Sequence, residues 1–278
     1  MLWNARNGEV PIDETKMSYV SFGHGDRAFV MLPGLSDGLA TVRGKALMLA
    51  KPYRVFFDQF TVYMFSRKDE MPDGYSIRDM AEDQATALKK LGIKQACVMG
   101  VSQGGMIAQY FAIDHPEMVD RLVLAVTAPY ANEIVRRFVK NRIEDAQHGD
   151  HKAIMIGSAE SAYSEKKLRS YRKLYPLLGV IGKPKDYKRF LRNADAILHF
   201  DAREELKQIR CPSLIIGGEE DKTIGPDGSE ELHAAIAGSE LFMYPGLGHA
   251  AFEEAPDFNT RIFEYINRNN KNAFEKRR

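Results

Sequence analysis

The chain has 278 residues, of which 44% are hydrophobic and 28% charged, and its formal net charge is +1. This length suits one large α/β domain or one domain with an insertion. The near-neutral balance gives no argument for binding nucleic acid, and no apolar run approaches the roughly 18 residues of a membrane span. Residues 1–6 lack the apolar core of a cleaved signal, so a cytoplasmic location is expected. Cys97 and Cys211 are predicted to be small buried residues rather than a disulfide, ligands or nucleophiles.

The first part of the chain alternates strand patterns with helix patterns. The first two strands are close in sequence and are expected to pair as a hairpin. A later segment has apolar residues at helical spacing, which predicts a clear helix. In chain order we predict a strand at 16–22, a turn at 23–26, a strand at 28–32, a helix at 38–50, a strand at 60–65, a loop at 69–76, a helix at 77–91 and a strand at 96–99.

The alternation stops near residue 128 and resumes near residue 206. Residues 128–205 carry helical patterns and no convincing strand. After them we predict a strand at 213–216, a helix at 229–237, a strand at 241–244 and a helix at 255–267, with frayed residues at 271–278. Strands alternating with helices predict an α/β fold, with a mostly parallel sheet covered by helices on both faces. We therefore expect a core of residues 1–127 and 206–278, and a helical cap of residues 128–205 over the carboxyl ends of the strands.

The most informative motif is Gly-x-Ser-x-Gly between the strand at 96–99 and a predicted helix at 106–115. A serine at such a strand-to-helix turn is held in a strained backbone conformation, with its hydroxyl lifted clear of the sheet. Gly100 and Gly104 are needed because the strand and helix backbones approach too closely for a Cβ. Ser102 is therefore the candidate nucleophile. The alternative is a glycine-rich turn whose serine is incidental.

A serine hydroxyl needs a base, and histidine suits that role near neutral pH. Of seven histidines, His249 lies in a glycine-flanked turn after a late strand, and we choose it as the base. The base needs an acid to fix its tautomer. Asp221, a few residues past the strand at 213–216, is our choice, with Glu219 or Glu220 as the alternative. The chain order Ser102, Asp221, His249 is that of the α/β-hydrolase fold.

Acyl transfer also needs donors aimed at the developing oxyanion. One candidate is the backbone N–H of Gln103, at the start of the helix after the serine. The other is the N–H of Leu35, in the turn after the strand at 28–32, where Gly34 permits a tight bend. The familiar His-Gly dipeptide, His24-Gly25, falls before that strand and is not a candidate.

With these residues in place, the chain resembles the α/β-hydrolase superfamily over residues 16–127 and 206–267. The resemblance assigns Ser102, Asp221 and His249 to the catalytic triad, and Leu35 and Gln103 to the oxyanion hole. Pro33 replaces the usual histidine before the oxyanion glycine. Serine at the nucleophile position argues against haloalkane dehalogenases and epoxide hydrolases, which have aspartate there. The sequence has no His-Gly-Gly-Gly run, so it does not resemble the lipase-type esterases that carry one. The combination of a serine at this strand-to-helix turn with a helical cap is similar to the lactonase, carbon–carbon hydrolase and perhydrolase-like branch, which includes 3-oxoadipate enol-lactonases.

The function expected from this reasoning is hydrolysis of a small carboxylic ester or lactone through an acyl-enzyme. A carbon–carbon hydrolase or perhydrolase with the same triad is the alternative, and a ligand-binding receptor on a hydrolase scaffold is more remote. No metal or organic cofactor is expected. The partner is a small-molecule substrate rather than nucleic acid or membrane, and a homodimer is left open.

The predicted cap has a charge of its own. Residues 136–192 contain 15 Lys or Arg against six Asp or Glu, a local net charge of +9. Solvated helix faces are the plain interpretation, and steering of a carboxylate-bearing substrate is the sharper one. Six aromatic residues could line an acyl pocket or form the core of the cap: Tyr130, Phe138, Tyr163, Tyr171, Tyr175 and Phe190.

Overall fold

A computed structural model describes residues 2–268 of the chain. Within that range, eight strands form one sheet. They are β1 (Arg6–Ile12), β2 (Thr15–Gly23), β3 (Arg27–Leu32), β4 (Phe60–Lys68), β5 (Ala96–Val101), β6 (Val119–Ala125), β7 (Ser213–Gly218) and β8 (Glu240–Tyr244). Residues 271–278, predicted to be frayed, lie outside the described residues.

The strand order is β1-β2-β4-β3-β5-β6-β7-β8. The β1–β2 and β2–β4 pairs are antiparallel, and all pairs from β4 to β8 are parallel. Parallel strands require crossover connections, which helices supply here. The predicted class, a mostly parallel α/β sheet, is confirmed.

From β3 onward the helices alternate with the strands, except that four of them lie between β6 and β7. They are α1 (Ala46–Ala50), α2 (Ile77–Lys90), α3 (Gln103–Asp114), α4 (Glu133–Gln147), α5 (His151–Ala162), α6 (Glu165–Tyr171), α7 (Lys188–Leu198), α8 (Asp227–Ala235), α9 (Ala251–Glu254) and α10 (Phe258–Asn267). None of them, across the part of the chain that the structure describes, is both long and apolar enough to span a membrane.

The predicted hairpin is wrong. The strands predicted at 16–22 and 28–32 exist as β2 and β3, but β4 lies between them in the sheet. Four consecutive residues of β3, Phe29 to Leu32, are buried, as expected for a central strand with helices on both faces. A buried central strand needs a hydrogen-bonded neighbour on each side, and β4 and β5 provide them, both in parallel pairing.

Two further differences lie near the amino terminus. The helix predicted at 38–50 is much shorter, since α1 covers only Ala46–Ala50 and Gly44 has a left-handed φ of 76° just before it. The sequence analysis also missed β1, an edge strand that contains Gly8 and Pro11. Proline is tolerated at a sheet edge, where its missing N–H is not needed by a neighbouring strand.

Residues 128–205, which we call the cap segment, connect β6 to β7 and contain α4 to α7. The two ends of the cap segment lie side by side. Tyr130 and Asp201 form an isolated antiparallel bridge, and the N–H of Ala131 donates to the carbonyl of Phe200 at 3.0 Å. The N–H of Ala202 donates to the carbonyl of Pro129 at 2.9 Å. The chain thus leaves and returns to the sheet at one narrow neck.

Candidate active site

Ser102 lies between β5 and α3 in a strained backbone conformation. Its φ is 55° and its ψ is −121°, a region that non-glycine residues rarely adopt. Backbone contacts hold it there: its N–H donates to the carbonyl of Ala125 at 2.9 Å, and its carbonyl accepts from Thr127 Oγ1 at 2.8 Å. Neighbouring β6 and the residues after it therefore fix the turn at which the hydroxyl is presented.

The flanking glycines make this turn possible. A Cβ on Gly100 would overlap the carbonyl of Gly104, and a Cβ on Gly104 would overlap the carbonyl of Leu32. Both obstacles are backbone atoms, which cannot rotate away as a side chain can. The close approach of α3 to β3 and β5 thus depends on glycine at these two positions.

Three side chains predicted from sequence are brought into one hydrogen-bonded chain. His249 Nε2 lies 2.9 Å from Ser102 Oγ, and His249 Nδ1 lies 2.8 Å from Asp221 Oδ2. Asp221 is buried, and its Oδ1 accepts from the N–H groups of Thr223 at 2.8 Å and Ile224 at 3.0 Å. Both carboxylate oxygens are thereby occupied, which fixes the orientation of the carboxylate toward the imidazole.

Asp221 and His249 arrive on loops after β7 and β8. The two loops are joined by the N–H of Glu220, which donates to the carbonyl of Leu247 at 2.9 Å. Glu219 and Glu220 are both exposed, whereas Asp221 faces inward. Of the three acids considered from sequence, Asp221 is the one in contact with the histidine.

The predicted oxyanion residues flank the serine. Leu35 begins a 3₁₀ turn, Leu35–Gly38, and Gln103 begins α3. The first N–H groups of a helix have no acceptor within the helix, so both are free of intrahelical bonds. A Cβ on Gly34 would lie 3.3 Å from Ser102 Cβ and 3.8 Å from Ser102 Oγ. The turn after β3 therefore touches the serine, as the placement of a donor there requires.

Behind this turn lies a buried ion cluster that the sequence analysis missed. Arg67, on β4, is fully buried, and its Nη2 donates to the carbonyl of Pro33 at 2.6 Å and to Gln103 Oε1 at 3.0 Å. Burial lowers the pKa of its guanidinium to about 10, although the negative charge of Asp37 acts to raise it. The guanidinium therefore stays charged at neutral pH. We predicted the strand to stop at residue 65 and a loop to begin at residue 69, so Arg67 was assigned to neither, whereas β4 extends to Lys68.

A cavity of about 780 Å³ opens over Ser102 and His249. Its walls come from the sheet loops, from α1 and from the cap segment, and they are mainly apolar, as Met48, Phe138 and Phe252 illustrate. Among the described residues that line it, Glu253 is the single carboxylate, and no lysine or arginine takes part. Glu253 is exposed and accepts a hydrogen bond from Tyr163 Oη at 2.6 Å.

The cations of the cap segment are therefore not positioned as an internal steering surface. Arg142, Arg172 and Arg192 pair with acidic residues instead. The aromatic residues divide between the two interpretations. Four of the six line the cavity, namely Phe138, Tyr163, Tyr171 and Phe190. Tyr130 packs under Arg203, and Tyr175 donates to Glu160 at 2.6 Å.

The cap segment also contacts the loop that carries the histidine. The N–H of Ala250 donates to the carbonyl of Ala162 at 2.9 Å. Ser164 donates to Glu254 twice, from its N–H at 2.9 Å and from its hydroxyl at 2.5 Å. The junction between α5 and α6 is thereby fastened next to His249.

The remaining candidate groups lie elsewhere. Cys97 is buried as predicted, and burial raises the pKa of its thiol to about 12. Cys211 is only half-buried, contrary to the expectation. Within residues 2–268, no cluster of three or more His, Cys, Asp or Glu side chains could hold a metal ion.

Comparisons with known proteins agree with this architecture. AB hydrolase superfamily protein YisY of Bacillus subtilis is 27% identical over 213 residues, which are 73% of this chain and 78% of that protein. The human protein named serine hydrolase BPHL is 24% identical over 94% of this chain and 86% of its own length. Among solved structures, the enol-lactonase of Burkholderia xenovorans superposes with a TM-score of 0.78 at 20% identity, covering 93% of this chain and 99% of that one.

The family model described as the alpha/beta hydrolase fold matches residues 63–256, which include all three members of the Ser102–Asp221–His249 chain. The match spans well over half of the sequence. The protein belongs to the alpha/beta hydrolase family, as the resemblance predicted.

Proposed function

We propose that this member of the alpha/beta hydrolase family is a serine hydrolase that cleaves carboxylic esters or lactones with neutral, mainly apolar acyl groups. The observation that carries the proposal is the continuous chain Ser102 Oγ, His249, Asp221 at the floor of an apolar cavity. A hydrolase in this family needs a nucleophile, a base and an acid in contact, and these three side chains supply them.

In the first half of the reaction, Ser102 Oγ attacks the substrate carbonyl while His249 Nε2 accepts its proton. The carbonyl oxygen becomes an oxyanion, which the N–H groups of Leu35 and Gln103 stabilise. Asp221 accepts the Nδ1–H of His249 and stabilises the imidazolium that forms. His249 then returns the proton to the leaving alcohol, and the ester bond breaks to leave an acyl-Ser102.

In the second half, water replaces the alcohol. His249 takes a proton from water, the resulting hydroxide equivalent attacks the acyl carbonyl, and the same N–H groups hold the second oxyanion. Collapse of this intermediate returns the proton to Ser102 Oγ and releases the carboxylic acid. For a lactone, acid and alcohol leave as one molecule.

The lining of the cavity supports a neutral acyl group. A carboxylate moved from water into this apolar volume would lose hydration without gaining a cationic partner, and Glu253 would repel it. The fold-related enol-lactonase and an Est816 structure described as degrading N-acyl homoserine lactones make esters and lactones the reasonable first substrates to test.

The test of the nucleophile is intact mass after exposure to a fluorophosphonate, with Ser102→Ala as the matched variant. One adduct on the native chain and none on the variant is expected, because the phosphonate reacts only with an activated serine. A native chain that folds yet forms no adduct would contradict the proposal and favour a ligand-binding role.

The test of the substrate class is a panel of nitrophenyl esters of graded acyl length, with and without a terminal carboxylate. Neutral acyl groups are expected to give the larger kcat/KM. The variant Glu253→Gln is expected to reduce the difference in kcat/KM between neutral and carboxylate-bearing esters. A preference for the carboxylate-bearing esters would overturn this part of the proposal. Product analysis on a vinylogous diketone and with hydrogen peroxide separates carbon–carbon hydrolysis and perhydrolysis from ester cleavage.

A further inference from the structure

One guanidinium nitrogen links the two halves of the candidate oxyanion hole. Arg67 Nη2 donates both to the carbonyl of Pro33, two residues before Leu35, and to the side chain of Gln103. The donors assigned to the oxyanion are the N–H groups of Leu35 and Gln103 themselves. Their separation is therefore tied to the position of a single buried side chain on β4.

Arg67 is itself held by a carboxylate in the same turn. Asp37 is buried, its Oδ2 accepts from the backbone N–H of Arg67 at 3.0 Å, and it lies 3.9 Å from Arg67 Nη1. Since Asp37 belongs to the 3₁₀ turn that begins at Leu35, the ion pair binds this turn to β4 from behind.

The cap segment completes the cluster through α7. Arg189 Nη2 donates to Asp37 Oδ2 at 2.7 Å, and the same guanidinium donates to the carbonyls of Arg67 at 2.8 Å and Lys68 at 2.5 Å. One helical turn later, the carbonyl of Asn193 accepts from Gln103 Nε2 at 2.8 Å. Helix α7 thus contacts the Leu35 side of the site through Arg189 and the Gln103 side through Asn193.

This cluster is a poor device for stability alone. Asp37 Oδ1 and Arg67 Nε are buried without a hydrogen-bond partner in the described residues. Buried ion pairs with unsatisfied atoms are commonly matched or surpassed in stability by apolar side chains of similar volume. What an apolar replacement would not supply is the fixed geometry of two N–H groups, on which oxyanion stabilisation depends.

We infer that Arg67 and Arg189 are positioning residues of the oxyanion hole, and that the seat of α7 on the core sets the spacing of its two N–H donors. This inference rests on the proposed function, because it assigns a role in the stabilisation of the oxyanion at Ser102. Neither arginine lines the cavity over Ser102. Arg67 acts through Pro33 and Gln103, and Arg189 acts through Asp37.

The variant that tests it is Arg189→Gln. Removing Arg189 leaves Asp37 paired with Arg67, so no buried charge loses its last partner and the fold is expected to persist. With the Arg189 contacts to Asp37 and β4 lost, kcat on a neutral ester is expected to fall on the order of tenfold to a hundredfold, less than the loss of a whole oxyanion donor, while KM changes less than threefold. The rate constant for fluorophosphonate labelling of Ser102 is expected to fall by a similar factor, because its phosphoryl oxygen uses the same donors.

Two further variants make the result decisive. Arg189→Lys retains the charge and one of the contacts, so its kcat is expected to lie between those of native and Arg189→Gln. Arg192→Gln on the same helix removes an exposed pair with Asp73 and is expected to match the native kcat. Thermal melting of all three variants identifies any loss caused by unfolding.

The outcomes separate this inference from the proposed function. A native chain that the fluorophosphonate does not label would overturn both. Native labelling with Arg189→Gln equal to native in kcat and labelling rate would overturn the positioning role alone. So would a loss confined to KM, or an Arg189→Lys variant no better than Arg189→Gln at equal thermal stability.

Discussion

The sheet and the cap segment hold the same cavity by different forces. On the sheet side, Ser102 is fixed by backbone hydrogen bonds and by glycine contacts that allow no extra atom. On the cap side, attachment combines apolar side chains that join the core, such as Phe190, with polar side-chain contacts such as Arg189 on Asp37 and Ser164 on Glu254. The sheet side is thus fixed by backbone geometry, whereas the cap side is held by side-chain contacts, both apolar and polar.

The contrast teaches where single substitutions act. A change on the sheet side either removes a reacting group or collides with backbone, so it abolishes chemistry or costs stability. A change on the cap side removes one contact among several, so it adjusts geometry and leaves the sheet intact. The following predictions test this difference, from the largest expected effect to the smallest.

The largest effect is expected on the sheet side from His249→Ala. Without the base, Ser102 keeps its position but loses its proton acceptor, and kcat is expected to fall on the order of 10⁴ to 10⁶ with the melting temperature little changed. Steady-state ester hydrolysis measures the loss, and His24→Ala in an exposed loop is the control. A loss under tenfold would remove His249 from the mechanism.

Substitution of a glycine beside Ser102 should lower stability, because the backbone there leaves no room for a side chain. Gly104→Ala places a Cβ against the carbonyl of Leu32, and overpacking of this kind costs about 1–3 kcal/mol or more of unfolding free energy. Gly179→Ala in the cap segment is the matched control, because its Cβ would lie 3.6 Å from Lys152 Cβ, an ordinary contact. Urea denaturation compares the two, and equal midpoints would contradict the distinction between the regions.

At the fastening near His249, Glu254→Gln should have a moderate effect. The variant weakens the pair of hydrogen bonds from Ser164, and we expect a loss of about 1 kcal/mol in unfolding free energy. Glu264→Gln on an exposed position of α10 provides the control. If the two variants have the same unfolding free energy, the Ser164 contact does not stabilise the attachment of the cap segment.

The smallest effect is expected within the cap segment, from Glu160→Gln. Hydrogen bonds from Arg172 and then Tyr175 lower the pKa of Glu160 from 4.5 to about 2. A carboxyl whose pKa is depressed by folding contributes stability above its unfolded pKa and loses it as the pH falls through the folded value. Since the side chain is 38% exposed, solvent weakens the contribution. The native chain should therefore melt slightly above the variant at pH 7, and this margin should disappear near pH 2.

The three members of the Ser102–Asp221–His249 chain could be predicted because each is marked by its own neighbours in the sequence. Ser102 lies between spaced glycines after an apolar run, and Asp221 and His249 each follow a strand pattern. Parallel strands end at one edge of the sheet, so three local signals were enough to expect one site. The parallel sheet followed from the same alternation.

Other features depend on partners far apart in the chain. Asp37 and Arg189 are 152 positions apart, and nothing in either neighbourhood indicates the other. The local sequence around an arginine does not show whether its side chain is buried, so Arg67 was not singled out. The hairpin error has the same origin, since insertion of β4 beside β3 is decided by burial on both faces rather than by the turn between β2 and β3.

The neck of the cap segment has a consequence for how such proteins diversify. Pro129–Ala131 and Phe200–Ala202 are joined by backbone hydrogen bonds, so the chain returns to its point of departure. The backbone connection to the sheet thus constrains only the two ends of the insert, whereas inner parts such as α7 are held by side-chain contacts with the core. Because the entropy of closing a loop grows slowly with its length, chain connectivity at this junction sets little limit on the size of an insert, provided that a new insert replaces the contacts of α7 with Asp37 and β4. Replacement of this single continuous segment would change the lining of the cavity and leave the residues on the sheet in place.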